Sequence, residues 1–262
     1  MGFDVNQICP GVTHIRDAMG VCMTLIEGEQ AALLVDTGYG VEDVSTFIST
    51  LSTKPLTVLL THNHHDHALG SRWFNRTLMF PEDAGEWQIF TDETKRRIVL
   101  GQVQAKGLNV TEATFLAGEC RMPHPMSKGV FDLGGFTVEV IPCPGHTPGS
   151  CVVYLPGQKL LLTGDDWNPC TWLFFEAALP VREYRENIRR LQKLEFTHVL
   201  CSHQLECFTR ARFDDFVDNL TDEVLEAAKP VTIGGYEHIA TRQANVTEGQ
   251  ILVFDWNKYR KD

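Results

Sequence analysis

Six consecutive residues, His62-Asn63-His64-His65-Asp66-His67, constrain this chain more than any other feature. His62 and His64 are two positions apart, so in an extended turn they point to the same side and can share one metal ion. Asp66 and His67 follow after the chain has turned, and can face a second ion nearby. Imidazole suits zinc, iron, nickel or copper, and mixed imidazole and carboxylate sets suit zinc, manganese or iron. The competing reading is a histidine-rich surface loop.

Three downstream segments supply the missing ligands. In Pro144-Gly145-His146-Thr147-Pro148-Gly149, two glycines and two prolines fix a tight turn around one histidine. That turn can aim His146 at the first ion. In Leu162-Thr163-Gly164-Asp165-Asp166 a carboxylate follows an apolar run. Unpaired and buried it would cost several kcal/mol, and a cation supplies the partner. Asp165 directly follows the strand and the glycine, so it is preferred to Asp166, and its two oxygens can bridge two ions. In Cys201-Ser202-His203, His203 ends another apolar run and can complete the second ion, while Cys201 reads as a packed core thiol. Asp36, in Val35-Asp36-Thr37-Gly38, reads as a support or turn residue rather than a ligand. His14, His65, His124, His198 and His238 read as surface or hydrogen-bonded residues, with His65 and His124 the two to reconsider near a substrate.

These groups share one setting. Five times a short apolar, β-prone run ends in a polar or glycine-containing turn, over 31–38, 56–67, 136–146, 159–166 and 197–204. Near-continuous Val/Leu/Ile runs suggest strands covered on both faces. Loop ends beyond such strands are where open α/β sheets build their sites. Segments 42–52, 183–194 and 211–228 carry helical apolar stripes, the last through Phe213, Phe216, Val217, Leu220 and Val224. Residues 11–36 read as a strand meander. Region 81–128 holds helices at 82–90 and 93–106, then a loop with Gly118, Pro123 and Pro125. It reads as a helical insertion, either a partial lid or a surface addition. Strands with helices on both faces and no break in composition predict a single layered α/β domain over 1–262.

Composition narrows the partners. The net charge of −11 comes without a dense Lys/Arg cluster, so no nucleic-acid partner is expected. No apolar run approaches the ~18–20 residues that span a bilayer. The N-terminus lacks a basic stretch followed by an apolar one, so a cytoplasmic protein with no membrane partner is expected. None of the eight cysteines forms a C-x-x-C pair, and reduced, mostly buried thiols are expected. A small-molecule substrate follows.

The pattern H-x-H-x-D-H, then a Gly-His turn, a Gly-Asp after a strand and a strand-end His resembles the metallo-β-lactamase-fold superfamily, from about Gly11 to His203. The resemblance implies an α/β fold, a four-layer αββα sandwich of two mixed β-sheets flanked by helices. It implies a first site of His62, His64 and His146, a second of Asp66, His67 and His203, and Asp165 as the bridge, with Asp36 supporting from below. The metal pattern is like that of glyoxalase II enzymes. Departures refine it. His64 stands where diiron oxygen reductases of the superfamily carry Glu, which favours hydrolysis. Asp165 stands where true β-lactamases have Cys or Ser, which disfavours drug hydrolysis. Asp166-Trp167-Asn168 follows it, where lactonases usually place a Tyr. The tail 229–262 offers Lys229, Arg242, Lys258, Arg260 and Lys261 without the spacing of a glutathione-binding set.

The expected chemistry is hydrolysis of an ester, thioester, lactone or phosphoester by a hydroxide bridging two divalent cations, zinc first and manganese or iron as alternatives. Asp66 is the candidate catalytic residue, orienting that hydroxide and returning its proton. The competing class is a mononuclear iron oxidoreductase resembling a sulfur dioxygenase. Trp167, Trp172, Phe174 and Phe175 follow Asp165 closely and serve either as pocket walls or as core. Arg182, Arg185 and Arg189 read as a solvated helix face.

Overall fold

The computed structural model describes residues 2–127 and 129–260. Two mixed sheets face one another. The first runs in the order Asp4–Cys9, Val12–Arg16, Cys22–Glu27, Ala32–Val35, Leu56–Leu59, Leu78–Met79 and His124–Pro125. Its first four strands are antiparallel, and pairing turns parallel from Ala32–Val35 onward. The second sheet runs Phe208–Thr209, His198–Leu200, Leu160–Leu162, Cys151–Leu155, Thr137–Pro142 and Gly129–Asp132. All five runs anticipated from the sequence are strands. The meander starts earlier than expected, at Asp4 rather than 11.

Alternation explains the layers. In Ala32–Val35 every residue is buried, Leu33 and Val35 toward the second sheet, Ala32 and Leu34 toward the helix Val44–Leu51. Val140, Val153, Leu160 and Leu162 meet Leu33 and Val35 from the other sheet. The second sheet's outer face carries Val152, Leu161 and Val199, packed on Tyr184 and Ile188 of helix Val181–Leu191 and on Phe213, Phe216 and Val217 of helix Arg210–Asn219. Burying each such side chain stabilises by roughly 1.5–3 kcal/mol, so no strand can leave one layer without exposing another. The four-layer α/β arrangement is the expected one.

Two features differ from the sequence reading. The stripe expected over 211–228 is two helices, Arg210–Asn219 and Asp222–Glu226, because the Thr221 hydroxyl accepts from the Val224 amide and starts a new helix. A third sheet of four strands, Cys170–Leu173, Gln250–Asp255, Thr241–Thr247 and Lys229–Pro230, covers the far side of the second. Region 81–128 contains the expected helices as Pro81–Glu86, Trp87–Thr91 and Glu93–Ala105, plus a short one at Glu112–Leu116. No helix among the described residues is long and apolar enough to cross a membrane. All eight cysteines are free; five are buried and Cys170 is exposed.

The register places the strand ends together. Val35 pairs with Leu59, so Asp36 and the His62–His67 turn leave the first sheet side by side. Leu162 pairs with Leu200, so Asp165 and His203 leave the second sheet side by side. The Cys151 amide donates to the Thr61 carbonyl at 3.1 Å and joins the two edges. His14 ties the His203 loop to the first sheet, with Nδ1 2.8 Å from Thr24 Oγ1 and Nε2 3.0 Å from the Gln204 carbonyl.

Burial lowers the His14 pKa to about 4 although backbone groups of Gln204 and Cys201 act the other way. The neutral ring is therefore the folded form. Its contribution is intact above the unfolded value near 6.5 and is lost as pH falls toward 4, by about 3 kcal/mol in total. Urea unfolding of wild type and His14→Gln should give a stability gap that narrows by that order between pH 7.5 and 4.5. A gap independent of pH would show that His14 does not resist protonation in the folded state.

Candidate metal centre

The hexapeptide divides at its middle. His62 and His64 sit in the turn after strand Leu56–Leu59, and residues 65–68 form one helical turn that swings Asp66 and His67 to the other side. His146 enters from the turn after Thr137–Pro142, Asp165 from the loop after Leu160–Leu162, and His203 from the loop after His198–Leu200. Gly164 has φ 55°, the left-handed region glycine favours, and a Cβ there would come within 3.1 Å of Thr61.

All seven anticipated donors converge, in two groups. His62, His64 and His146 form one, and Asp66, His67, Asp165 and His203 the other, each with one donor atom per residue within 4.8 Å of the rest. Asp165 lies between them: its Oδ2 is 3.0 Å from His203 Nε2, 3.5 Å from His67 Nε2 and 3.6 Å from His146 Nε2. Asp66 Oδ2 is 3.6 Å from His67 Nε2 and 3.7 Å from His203 Nε2. Tetrahedral bonds of about 2.05 Å place neighbouring ligand atoms roughly 3.3 Å apart, so these separations fit a cation among the donors. Asp166 faces away and accepts from the His146 amide at 3.3 Å.

The hydrogen bonds fix which ring nitrogens face inward. His67 Nδ1 is 3.1 Å from Asp36 Oδ2, His146 Nδ1 is 2.6 Å from the Trp172 carbonyl, and His62 Nδ1 is 3.0 Å from Thr61 Oγ1. The Thr61 hydroxyl in turn donates to Asp36, 2.9 Å from Oδ2. With those Nδ1 protons directed outward, the Nε2 lone pairs of His62, His67 and His146 point into the site. His62 Nε2, His67 Nε2 and Asp165 Oδ1 are buried without a hydrogen-bond partner, the condition a bound cation relieves.

The electrostatics separate the two groups. Burial, reinforced by neighbouring imidazoles, pushes His62 and His64 well below the ordinary histidine range; burial lowers His146 as well. Burial also opposes charge on His67, yet Asp165, Asp66 and Asp36 hold it well above that range, and His203 is raised beside Asp165. Burial would raise Asp66, but His67, His65 and His203 bring it down to about 2. The first group is thus three neutral nitrogens. The second pairs two carboxylates with two imidazoles held toward the protonated form, protons that a cation taking the same donors would displace.

Of the other sequence candidates, His65 lines the cavity above the site, whereas His124 is exposed on its edge strand. Cys201 is buried and its thiol is pushed up by burial, as a packed core residue. Trp167 and Phe174 are core, while Trp172 and Phe175 line the cavity. Arg182 is exposed and pairs with Glu186.

The sequence reading missed Asp83. Its Oδ1 accepts from the Gly149 amide at 2.6 Å, and its Oδ2 from the Thr147 hydroxyl at 2.8 Å and the Asn63 amide at 3.2 Å. This one carboxylate ties the His62–His64 turn to the His146 turn. A Cβ at Gly149 would come within 2.6 Å of it, so the glycine is what admits it. Burial pushes the carboxyl up to about 6 despite the three donors. No local signal marks it; a lone Asp in an acidic stretch looks like surface.

Comparison with known proteins agrees with the geometry. The model of the metallo-beta-lactamase superfamily matches residues 17–85 and 127–203. A hydroxyacylglutathione hydrolase of Nitrosomonas europaea is 25% identical over 207 residues, 77% of this chain and 66% of that protein. An acyl-coenzyme A thioesterase of Bos taurus is 22% identical over 185 residues, 55% of this chain and 60% of that protein. The chain thus spans about two thirds or less of the length of these curated relatives. A metallo-beta-lactamase from Pontibacter korlensis has the same fold, with a TM-score of 0.53 at 22% identity over 81% of this chain and 96% of that one.

Replacing Asp83 with Ala would leave two buried amides and a hydroxyl without their acceptor. Urea unfolding should show a loss of about 2–4 kcal/mol. An unchanged midpoint would mean that the two ligand turns are held by something else.

Proposed function

Since the chain belongs to the metallo-beta-lactamase superfamily, we propose that it is a metal-dependent hydrolase acting at a dinuclear centre. His62, His64 and His146 hold one cation. Asp66, His67 and His203 hold the other, and Asp165 reaches both. The observation that carries this reading is the completeness of both donor groups around Asp165. Three imidazoles suit zinc, and the carboxylate-rich second group admits zinc, manganese or iron.

Two bound divalent cations would supply a water acidified toward neutral pH and a Lewis acid for the substrate's oxygen. The chain's own residues do the remainder. Asp66 orients the attacking water and carries its proton toward the leaving group. Asp36 keeps His67 and, through Thr61, His62 aimed inward. His64 and His146, neutral and buried, offer nitrogens at the base of the cavity. Among ester, thioester, lactone and phosphoester cleavage, the relatives named for glutathione and coenzyme A thioesters favour acyl transfer to water from an ester or thioester.

We also read the chain as one domain with a helical insertion at about 81–128. The family match passes over 86–126, which supports that reading.

The test is a metal count followed by a panel of esters, thioesters, lactones and phosphodiesters. Two ions per chain with hydrolysis of at least one class is expected. One iron per chain with oxygen uptake would favour the mononuclear oxidoreductase instead. His64→Ala should stay folded by circular dichroism, lose metal, and lose nearly all turnover, about a thousandfold or more. Full activity in that variant would remove the site assignment.

A further inference from the structure

The cavity above the metal centre has a volume of about 450 Å³ and a marked chemical bias. Its walls are aromatic. Phe90, tilted, and Phe175, edge-on, each bring a ring centroid 4.6 Å from that of His64, so apolar surface begins at a proposed ligand itself. Trp172 lies 6.2 Å from Phe175, and Tyr236 closes the opposite side at 5.4 Å from the same ring. The polar lining beyond the metal ligands and His65 is uncharged, with Gln102, Asn168 and Gln204 as its amides. Among the described residues no lysine or arginine lines it.

The nearest lysines are placed elsewhere. Lys95 Nζ is 5.7 Å from the Phe90 centroid and does not line the cavity. Lys258 donates to the carbonyls of Phe175, Glu176 and Ala178 at 2.6–3.0 Å, so its three protons hold the loop that carries Phe175. Next to Phe175, Glu176 is exposed and, among the described residues, its carboxylate pairs with His238 at 3.3 Å. The chain as a whole carries −11.

Coenzyme A brings several phosphate charges and glutathione two carboxylates. A binding site for either needs cations along the path of the leaving group, as buried or rim arginines and lysines. Among the described residues none lines this cavity, Lys95 reaching only the Phe90 ring, and the exposed Glu176 stands beside Phe175. Apolar surface, by contrast, is abundant and adjacent to the reacting centre, where each buried methylene of an acyl chain strengthens binding about fourfold.

We infer that the cavity selects an apolar acyl group on an uncharged leaving group: a neutral ester, lactone or thioester rather than a coenzyme A or glutathione conjugate. The inference rests on the hydrolase reading and narrows it. In the reaction the acyl–oxygen or acyl–sulfur bond breaks, water gives its hydroxyl to the acyl carbon, and the proton goes to the departing alcohol or thiol.

Three thioesters with the same octanoyl group separate the cases: those of N-acetylcysteamine, glutathione and coenzyme A. With zinc-loaded enzyme, kcat/KM for the neutral conjugate should exceed that for the coenzyme A conjugate by about tenfold or more, like-charge repulsion opposing the latter. Raising salt from about 10 mM to about 1 M shortens the Debye length from roughly 30 to 3 Å and should speed the coenzyme A conjugate while leaving the neutral one unchanged. Trp172→Ala, at a half-exposed position, should cut kcat/KM for the octanoyl ester about tenfold or more and for the acetyl ester less. A coenzyme A or glutathione conjugate equal to or faster than the neutral one, or slowed by salt, would overturn the inference and leave the hydrolase reading standing. No turnover of any conjugate, together with none across the wider panel, would remove both.

Discussion

Asp36 receives the Thr61 amide at 2.7 Å, the Thr61 hydroxyl at 2.9 Å and the His67 ring at 3.1 Å, with almost no contact to solvent. Its backbone adopts φ 63°, a left-handed conformation that costs a non-glycine residue about 1–2 kcal/mol. Those hydrogen bonds repay the strain, since a buried carboxylate left short of donors costs more. The consequence extends outward. Thr61, once it donates to Asp36, accepts from His62, so one carboxylate sets the tautomers of a histidine in each donor group. Without this anchor, His62 and His67 would lose the partner that turns their Nε2 atoms inward.

Charge then distributes itself across the centre. Histidines in the first group are held neutral by burial and by one another, and those in the second are held toward the charged form by carboxylates. The difference arises from geometry: Asp66 and Asp165 both lie within 3.7 Å of His67 and His203, while of the first group His146 comes within 3.6 Å of Asp165. Two cations of the same kind would therefore meet unlike surroundings, a nitrogen-rich one and an oxygen-rich one. If both were bound, the imidazole set and the carboxylate-rich set would supply Lewis acidity at two adjacent points of different charge.

The stretches that match the superfamily supply every donor and part of the cavity wall, including Trp172 and Phe175, while the rest of the wall comes from outside them. All seven donors lie within 17–85 and 127–203. Phe90 and Gln102 come from the helices between those stretches, and Ile233 and Tyr236 from beyond them. The donors therefore sit at the ends of the matched strands, while Phe90, Gln102, Ile233 and Tyr236 reach the cavity from segments outside the match. This is why the names of relatives inform the reaction more than its substrate.

Much was legible in the sequence because the relevant signals are local. Buried strands announce themselves through apolar runs such as Ala32–Val35, and candidate metal donors through spacing in His62–His67 and through polar residues at strand ends, as with Asp165 and His203. What the sequence could not settle depends on segments far apart meeting in space. Asp83 contacts Asn63 and Gly149, 20 and 66 positions away, and nothing in its neighbourhood announces either bond. The aromatics after Asp165 share one composition, yet the pairing of Cys170–Leu173 with Gln250–Asp255 turns Trp172 toward the cavity, while Trp167 packs on Phe213 in the core. His65 and His124 are indistinguishable by type, and only the helical turn 65–68 brings the first beside the site. Residue identity and spacing determine which groups can bind a cation; the direction each side chain takes is decided by long-range packing, where a carboxylate or a ring goes wherever its charge or its apolar surface is least exposed.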